Sequence, residues 1–144
     1  MSRVTISLPD HFSYATEIPL MVDHINSGNH LGNDSLITLI NEARARYTRH
    51  CGLLEYDRQT GLMMVNADLA MVYHSEGRYG EVMVIEVAAS DFHRCGYDLV
   101  YRVADKASGR AIASAKTAHI LIDAESGKTL PEPAGYFDSL RGGT

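Results

Sequence analysis

The sequence predicts an α+β domain, one long helix packed against an antiparallel sheet. Three features carry that expectation. Apolar residues keep a helical period over one long stretch, at Leu36, Ile37, Ile40, Ala43 and Tyr47, so one face of that helix must be buried. From Leu62 onward the period changes to two, in runs rich in Val, Met, Tyr and Ile. Between those runs stand Gly-bearing turns, SEGRYGE and KASGR, which suit links between neighbouring antiparallel strands.

Taken in order, residues 3–9 (RVTISLP) alternate weakly and read as a short strand ended by Pro9. Asp10 to Thr16 read as a loop. Glu17 to Val22 is a short apolar strand in which Pro19 demands an edge or a strand start. The helix is expected from about Asp34 to Cys51, roughly 27 Å long. Asn33 or Asp34 can cap its start by accepting from unpaired backbone N–H groups, and Gly52 suits the position after its end. Arg44, Arg46, Arg49 and His50 fall in its C-terminal half, where cations complement the dipole.

Leu62 to His74 is the first long strand. Glu81 to Ser90 follows, apolar on both faces at its centre, so it lies deep in a sheet or under another subunit. Asp91 to Gly96 makes a turn. In Tyr97 to Val103, Tyr97, Leu99, Tyr101 and Val103 share one side, with Asp98 and Arg102 on the other. Ala111 to Asp123 is the last strand, and the tail has turn chemistry with one helical turn around Phe137 to Leu140. One helix cannot cover both faces of five or six strands. The two-sided strands after Glu81 therefore call for a second copy of the chain, most simply a two-fold dimer.

Composition narrows the function. A chain of 144 residues fits a single domain spanning 1–144 with a full core. A formal charge of −5 offers no basic footprint for nucleic acid. Cys51 and Cys95 form no C-x-x-C pair, which suits a reduced, cytoplasmic compartment. No 18-residue apolar run is present, so neither a membrane span nor an export signal is expected.

The chemistry concentrates before the helix, where Asp23, His24, Asn26, Asn29, His30, Asn33 and Asp34 crowd into twelve residues. Backbone N–H groups at Asn33 and Asp34 have no partner within a helix and can hold a developing oxyanion. Gly28 and Gly32 let the chain approach a ligand closely, or simply serve the turns. Other constellations fail. G-x-S-x-G, H-E-x-x-H and the phosphate-cradling Gly motifs are all missing, and His93 with Cys95 is too little for a metal.

The segment NHLGND-x7-EAR resembles the G-H-x-N-N-x8-E-A-R segment of the hotdog-fold acyl-CoA thioesterases, the 4-hydroxybenzoyl-CoA thioesterase-like superfamily. DLAMVYHSEGRYGEVMVIEV is similar to that family's strand–turn–strand. GYDLVYRVADKASGRAIASAKTAHILIDAESGKTLPEP is similar to its closing hairpin and end. The likeness runs from about Glu17 to Pro133. It implies a hotdog fold: a long central helix wrapped by a curved antiparallel sheet of five to six strands. It also implies a homodimer, possibly a dimer of dimers, with an acyl-thioester site at the dimer seam by the helix N-terminus. The implied reaction is hydrolysis of an acyl-CoA or related thioester, with no metal and no cofactor beyond the coenzyme A in the substrate. Asn33 takes the place of the family's carbonyl-polarising amide.

One departure matters. Where many of these thioesterases carry an aspartate four residues before the loop histidine, this chain has Asn26. An amide can neither attack a thioester nor take a proton from water at neutral pH. Asp34 could activate water instead, or be a first-turn acid. Asn26 could hold the carbonyl or position water, or be a turn residue. His30 could be acid, base or donor, or a structural loop histidine, with His24 a weaker candidate. Glu42 aligns with the E-A-R glutamate but stands four residues before Arg46, a spacing that favours an ion pair. Arg78 and His74 lie on a turn that could meet the nucleotide end of coenzyme A. An enoyl-CoA hydratase or dehydratase, and a non-catalytic acyl-thioester binding module, are the alternatives.

Overall fold

The computed structural model describes residues 2–142. Strand β1 (Tyr14–Pro19) and a single 3-10 turn (Val22–His24) lead into helix α1 (Asn33–His50). Strands β2 (Tyr56–Asp57), β3 (Leu62–Tyr73), β4 (Val82–His93), β5 (Gly96–Asp105) and β6 (Ala111–Asp123) follow, and a four-residue helix, α2 (Asp138–Arg141), closes the chain. The strands form one sheet in the order β1-β4-β5-β6-β3-β2, antiparallel at every pairing. Register shifts at Asn66/Asp68 and Ser90/His93 interrupt the ladders, and such bulges bend strands. A curled six-stranded antiparallel sheet with one long helix is the hotdog arrangement that the resemblance implied.

The helix buries Leu36, Leu39, Ile40, Ala43 and Tyr47, the face set by its apolar period, while Ile37 is only half-buried. Against it lie Met83, Ile85 and Val87 of β4 and Tyr97, Leu99, Tyr101 and Val103 of β5, all fully buried. Arg46 fastens the helix to β1, donating to Thr16 Oγ1 at 2.8 Å and to the Glu17 carbonyl at 3.1 Å.

Four expectations are corrected. Residues 3–9 form no strand; their weak alternation is met by lying along a groove beside Ala70, Val100 and Lys116. The first strand is Tyr14–Pro19 rather than Glu17 to Val22: its pairing with β4 starts at Tyr14 opposite Val87, and past Leu20, which still donates to the Glu81 carbonyl, the chain turns away into the 3-10 turn. The helix cap is Gly32, not Asn33 or Asp34; both of those already lie in the first turn. Strand β4 runs past Ser90 to His93, passing its bulge through Asp91 at φ +49°. The expected C-terminal glycine stands: Gly52 takes φ +74°, the left-handed geometry that ends helices. Gly96 is equally constrained, since a Cβ there would collide with the His119 carbonyl.

Candidate active site

Helix α1 begins without a side-chain cap. Gly32 is extended (φ −73°, ψ 152°), and the first turn closes when Leu36 N–H donates to the Gly32 carbonyl at 3.0 Å. The N–H groups of Asn33, Asp34 and Ser35 therefore have no acceptor among the described residues. They carry the positive end of an 18-residue helix dipole.

The loop before them is tight. Asn26 Oδ1 accepts the Gly28 N–H at 2.9 Å, and the Asn26 N–H donates to the His30 carbonyl at 2.9 Å. Asn29 takes the left-handed conformation, φ +67°, that lets the loop turn. The His24 carbonyl accepts Gly32 N–H at 3.1 Å, while His24 Nδ1 accepts Met21 N–H at 2.9 Å, so His24 ties the loop to its own entry.

The two loop glycines mark where side chains converge. A Cβ on Gly32 would stand 2.8 Å from Asp34 Oδ1 and 3.9 Å from Asn26 Nδ2. A Cβ on Gly28 would stand 3.1 Å from His30 Nε2 and 3.2 Å from Asn26 Oδ1. Asn26, Gly28, His30, Gly32 and Asp34 thus form one cluster at the helix tip. With its oxygen spent on the loop, Asn26 keeps only its NH2 for other work.

His30 also faces a cleft of about 220 Å³, whose walls include Asn33 but neither Asn26 nor the exposed Asp34. Asn33 shares the helix-side wall with His30; Tyr73, His74 and Glu76 stand opposite, and Leu36 and Ile112 supply apolar surface. The opposing wall is a built turn. Arg110 Nη2 donates to the Glu76 carbonyl at 2.8 Å and to the Glu81 carboxylate at 2.9 Å, and its Nε reaches Ser75 Oγ at 3.2 Å. His74 Nε2 lies 3.0 Å from Ser114 Oγ.

Two other candidates lie outside both groups. Glu42 pairs with Arg46 at 2.7 Å, beyond the first helical turns. Arg78 is exposed on the turn, 3.6 Å from Glu76 Oε2. Glu76, Gly77 and Arg110 were not singled out from sequence. A carboxylate between His74 and Arg78 on a Gly-flanked turn was the available signal for Glu76.

A second polar group is sealed beneath the helix. His119 Nε2 lies 2.7 Å from Thr117 Oγ1, which lies 2.8 Å from the Tyr101 hydroxyl. Burial, reinforced by the Arg44 guanidinium, pushes His119 down to about 4. No set of three or more His, Cys, Asp or Glu side chains among the described residues is gathered as a metal site.

A family model described as thioesterase-like superfamily matches residues 20–138. No curated protein matches the sequence at a significant level. Among solved structures, a 1,4-dihydroxy-2-naphthoyl-CoA thioesterase from Synechocystis superposes with a TM-score of 0.80 at 12% identity, covering 89% of this chain and 95% of its own. The YbaW probable thioesterase of Escherichia coli gives 0.74 at 18% identity, covering 90% and 96%. A hypothetical protein of Staphylococcus aureus, solved in complex with CoA, gives 0.82 at 12% identity, covering 96% and 87%.

Proposed function

The chain belongs to the thioesterase-like superfamily, and from that premise we propose that it hydrolyses an acyl-CoA, or a related acyl thioester, to a free acid and a thiol. The observation that carries this reading is the bare helix tip: the N–H groups of Asn33 and Asp34 have no acceptor among the described residues, the Asp34 carboxylate stands in the same turn, and Asn33 lines the adjoining cleft. Those N–H groups accept the thioester oxygen as it gains negative charge. Asp34 takes a proton from the attacking water, which the Asn26 NH2 helps to place. The acyl group runs along Leu36, Ile112 and Tyr73, and Arg78 meets the nucleotide end of coenzyme A. No cofactor or metal takes part.

A two-fold partner completes the site. Strand β2 covers only Leu62 and Met63 of the outer edge of β3, so residues 65–73 of that edge face no described strand. A long open edge favours pairing with a second copy, and Tyr73 at its end already lines the cleft. Cys51 and Cys95 are in no disulfide, in keeping with a cytoplasmic setting.

One observation favours a second reading. Where many relatives of the resembled family carry an aspartate, Asn26 has committed its oxygen to the loop, as a pure binding module would allow. The test is free thiol release from a panel of acyl-CoAs by wild type and Asp34→Asn. Turnover lost in the variant supports the hydrolase; saturable binding with no thiol release by wild type supports the binder.

A further inference from the structure

The carboxylate of Glu76 sits between the His30 imidazole and the Arg78 guanidinium. Its Oε1 lies 3.5 Å from His30 Nε2, and its Oε2 lies 3.6 Å from Arg78 Nη2. On the other side of the imidazole, Nδ1 lies 3.5 Å from the Leu31 carbonyl. Both ring nitrogens therefore face oxygen acceptors, and only a ring carrying both N–H groups can donate to the two at once. The ring is half-buried at the cleft wall, in the loop that leads into the helix tip. Arg110, through the Glu76 carbonyl, fixes the turn from which the carboxylate projects.

Building on the hydrolase reading, we propose that Glu76 is a positioning residue that holds a protonated His30 over the cleft, where the ring delivers a proton to the departing thiolate. The step balances. Water's oxygen bonds to the carbonyl carbon and one of its protons passes to Asp34. The tetrahedral adduct expels sulfur, the C–S electron pair stays on sulfur, and sulfur takes a proton from His30. Solvent then removes the proton from Asp34 and returns one to His30. Glu76 touches neither carbon nor sulfur and acts through the imidazole. Its neighbours are His74, in the cleft wall and tied to Ser114, and Arg78, exposed on the turn outside the cleft and tied to Glu76 itself.

The leaving thiol supplies the test. Coenzyme A leaves as a basic thiolate that gains from protonation, whereas thionitrobenzoate is already stable as its anion. Wild type, Glu76→Gln and His30→Gln are assayed on the same acyl group joined to each thiol. Glu76 is 56% exposed, so its variant is expected to fold, and circular dichroism checks both variants. The proposal expects Glu76→Gln to lose about 10- to 100-fold in kcat on the CoA thioester and under about 3-fold on the thionitrobenzoate ester. His30→Gln repeats the pattern with a larger loss. Equal losses on both esters overturn the proton-delivery role and leave the hydrolase reading standing. A folded wild type that cleaves neither ester overturns that reading and this proposal together.

Discussion

The N–H of Leu31 donates to the carbonyl of Gly77 at 2.7 Å. This bond joins the loop that enters the helix to the turn between β3 and β4, two segments far apart in sequence. It sets the width of the cleft, since His30 and Asn33 hang from one side of it and Glu76 from the other. Gly77 is buried, and a Cβ there would stand 3.1 Å from Leu20 Cδ1 and 3.2 Å from Leu31 Cβ. The two walls approach this closely only because one of them has no side chain.

Gly77→Ala is therefore expected to destabilise the fold by about 1–2 kcal/mol, because Leu20 and Leu31 must both give way. Gly77→Val should cost more. Urea denaturation midpoints read the effect directly, and an Ala variant as stable as wild type would show that the contact has slack.

Asp34→Asn should reduce kcat by about 100-fold or more with little change in KM, since the amide keeps the shape but cannot take a proton. Asn26→Asp retains the acceptor for the Gly28 N–H while putting a carboxylate oxygen where Nδ2 now stands, beside Gly32, which Asp34 Oδ1 also approaches. Placed in the Asp34→Asn background, it should recover part of the lost rate. Steady-state thiol release checks both, and full activity in Asp34→Asn removes Asp34 from the mechanism.

The helix and the late strands were legible because a buried face imposes a period, which Leu36, Ile40, Ala43 and Tyr47, or Tyr97, Leu99, Tyr101 and Val103, repeat, though Ile37, read into the same face, is only half-buried. The convergence of Asn26, His30 and Asp34 was legible for a local reason: all three lie within nine residues of a Gly-punctuated loop. The opposing wall was not. Glu76 reaches His30 only because β3 pairs with β6, which brings Arg110 beneath the turn, and no local pattern encodes that long-range pairing. Residues 3–9 misled for the converse reason, since weak alternation fits a chain lying on a sheet as well as one joined to it.

The open edge of β3 predicts self-association. Leu69 and Tyr73 on this strand are 44% and 47% exposed, large for apolar side chains unless a partner covers them. Sedimentation should report a dimer at micromolar concentration. Leu69→Lys is expected to shift it toward monomer and to lower turnover with it, because a charge placed on an open edge opposes pairing. A wild type that sediments as a monomer ends this account of the edge.

Tyr97 is fully buried, and its hydroxyl has no hydrogen-bond partner among the described residues. An unsatisfied buried hydroxyl costs roughly 1–3 kcal/mol, while the ring's contacts with His119 and Phe137 do not depend on it. Tyr97→Phe should accordingly gain about 1 kcal/mol, roughly 3–5 °C in Tm. Calorimetry decides it: a lower Tm would mean that the hydroxyl is satisfied, through a bound water for instance.

His119 makes the fold acid-sensitive above the range where carboxylates titrate. Burial first, then the Arg44 guanidinium, lower it from an ordinary value of 6.5 to about 4. Between those two values the unfolded chain binds a proton that the native state refuses, so stability rises with pH there and falls as pH drops. Below about 4 both states are protonated and this loss is complete; above about 6.5 neither is, and the full contribution is present. The gap corresponds to about 3 kcal/mol. The depressed carboxyls of Asp57, Asp105 and Asp123 act in a lower window, because the unfolded chain must take up their protons first near 3.8. Denaturation midpoints taken from pH 7 down to 4.5 should thus fall steadily in wild type and stay nearly level in His119→Gln. Parallel slopes in the two proteins would place the sensitivity on some other group.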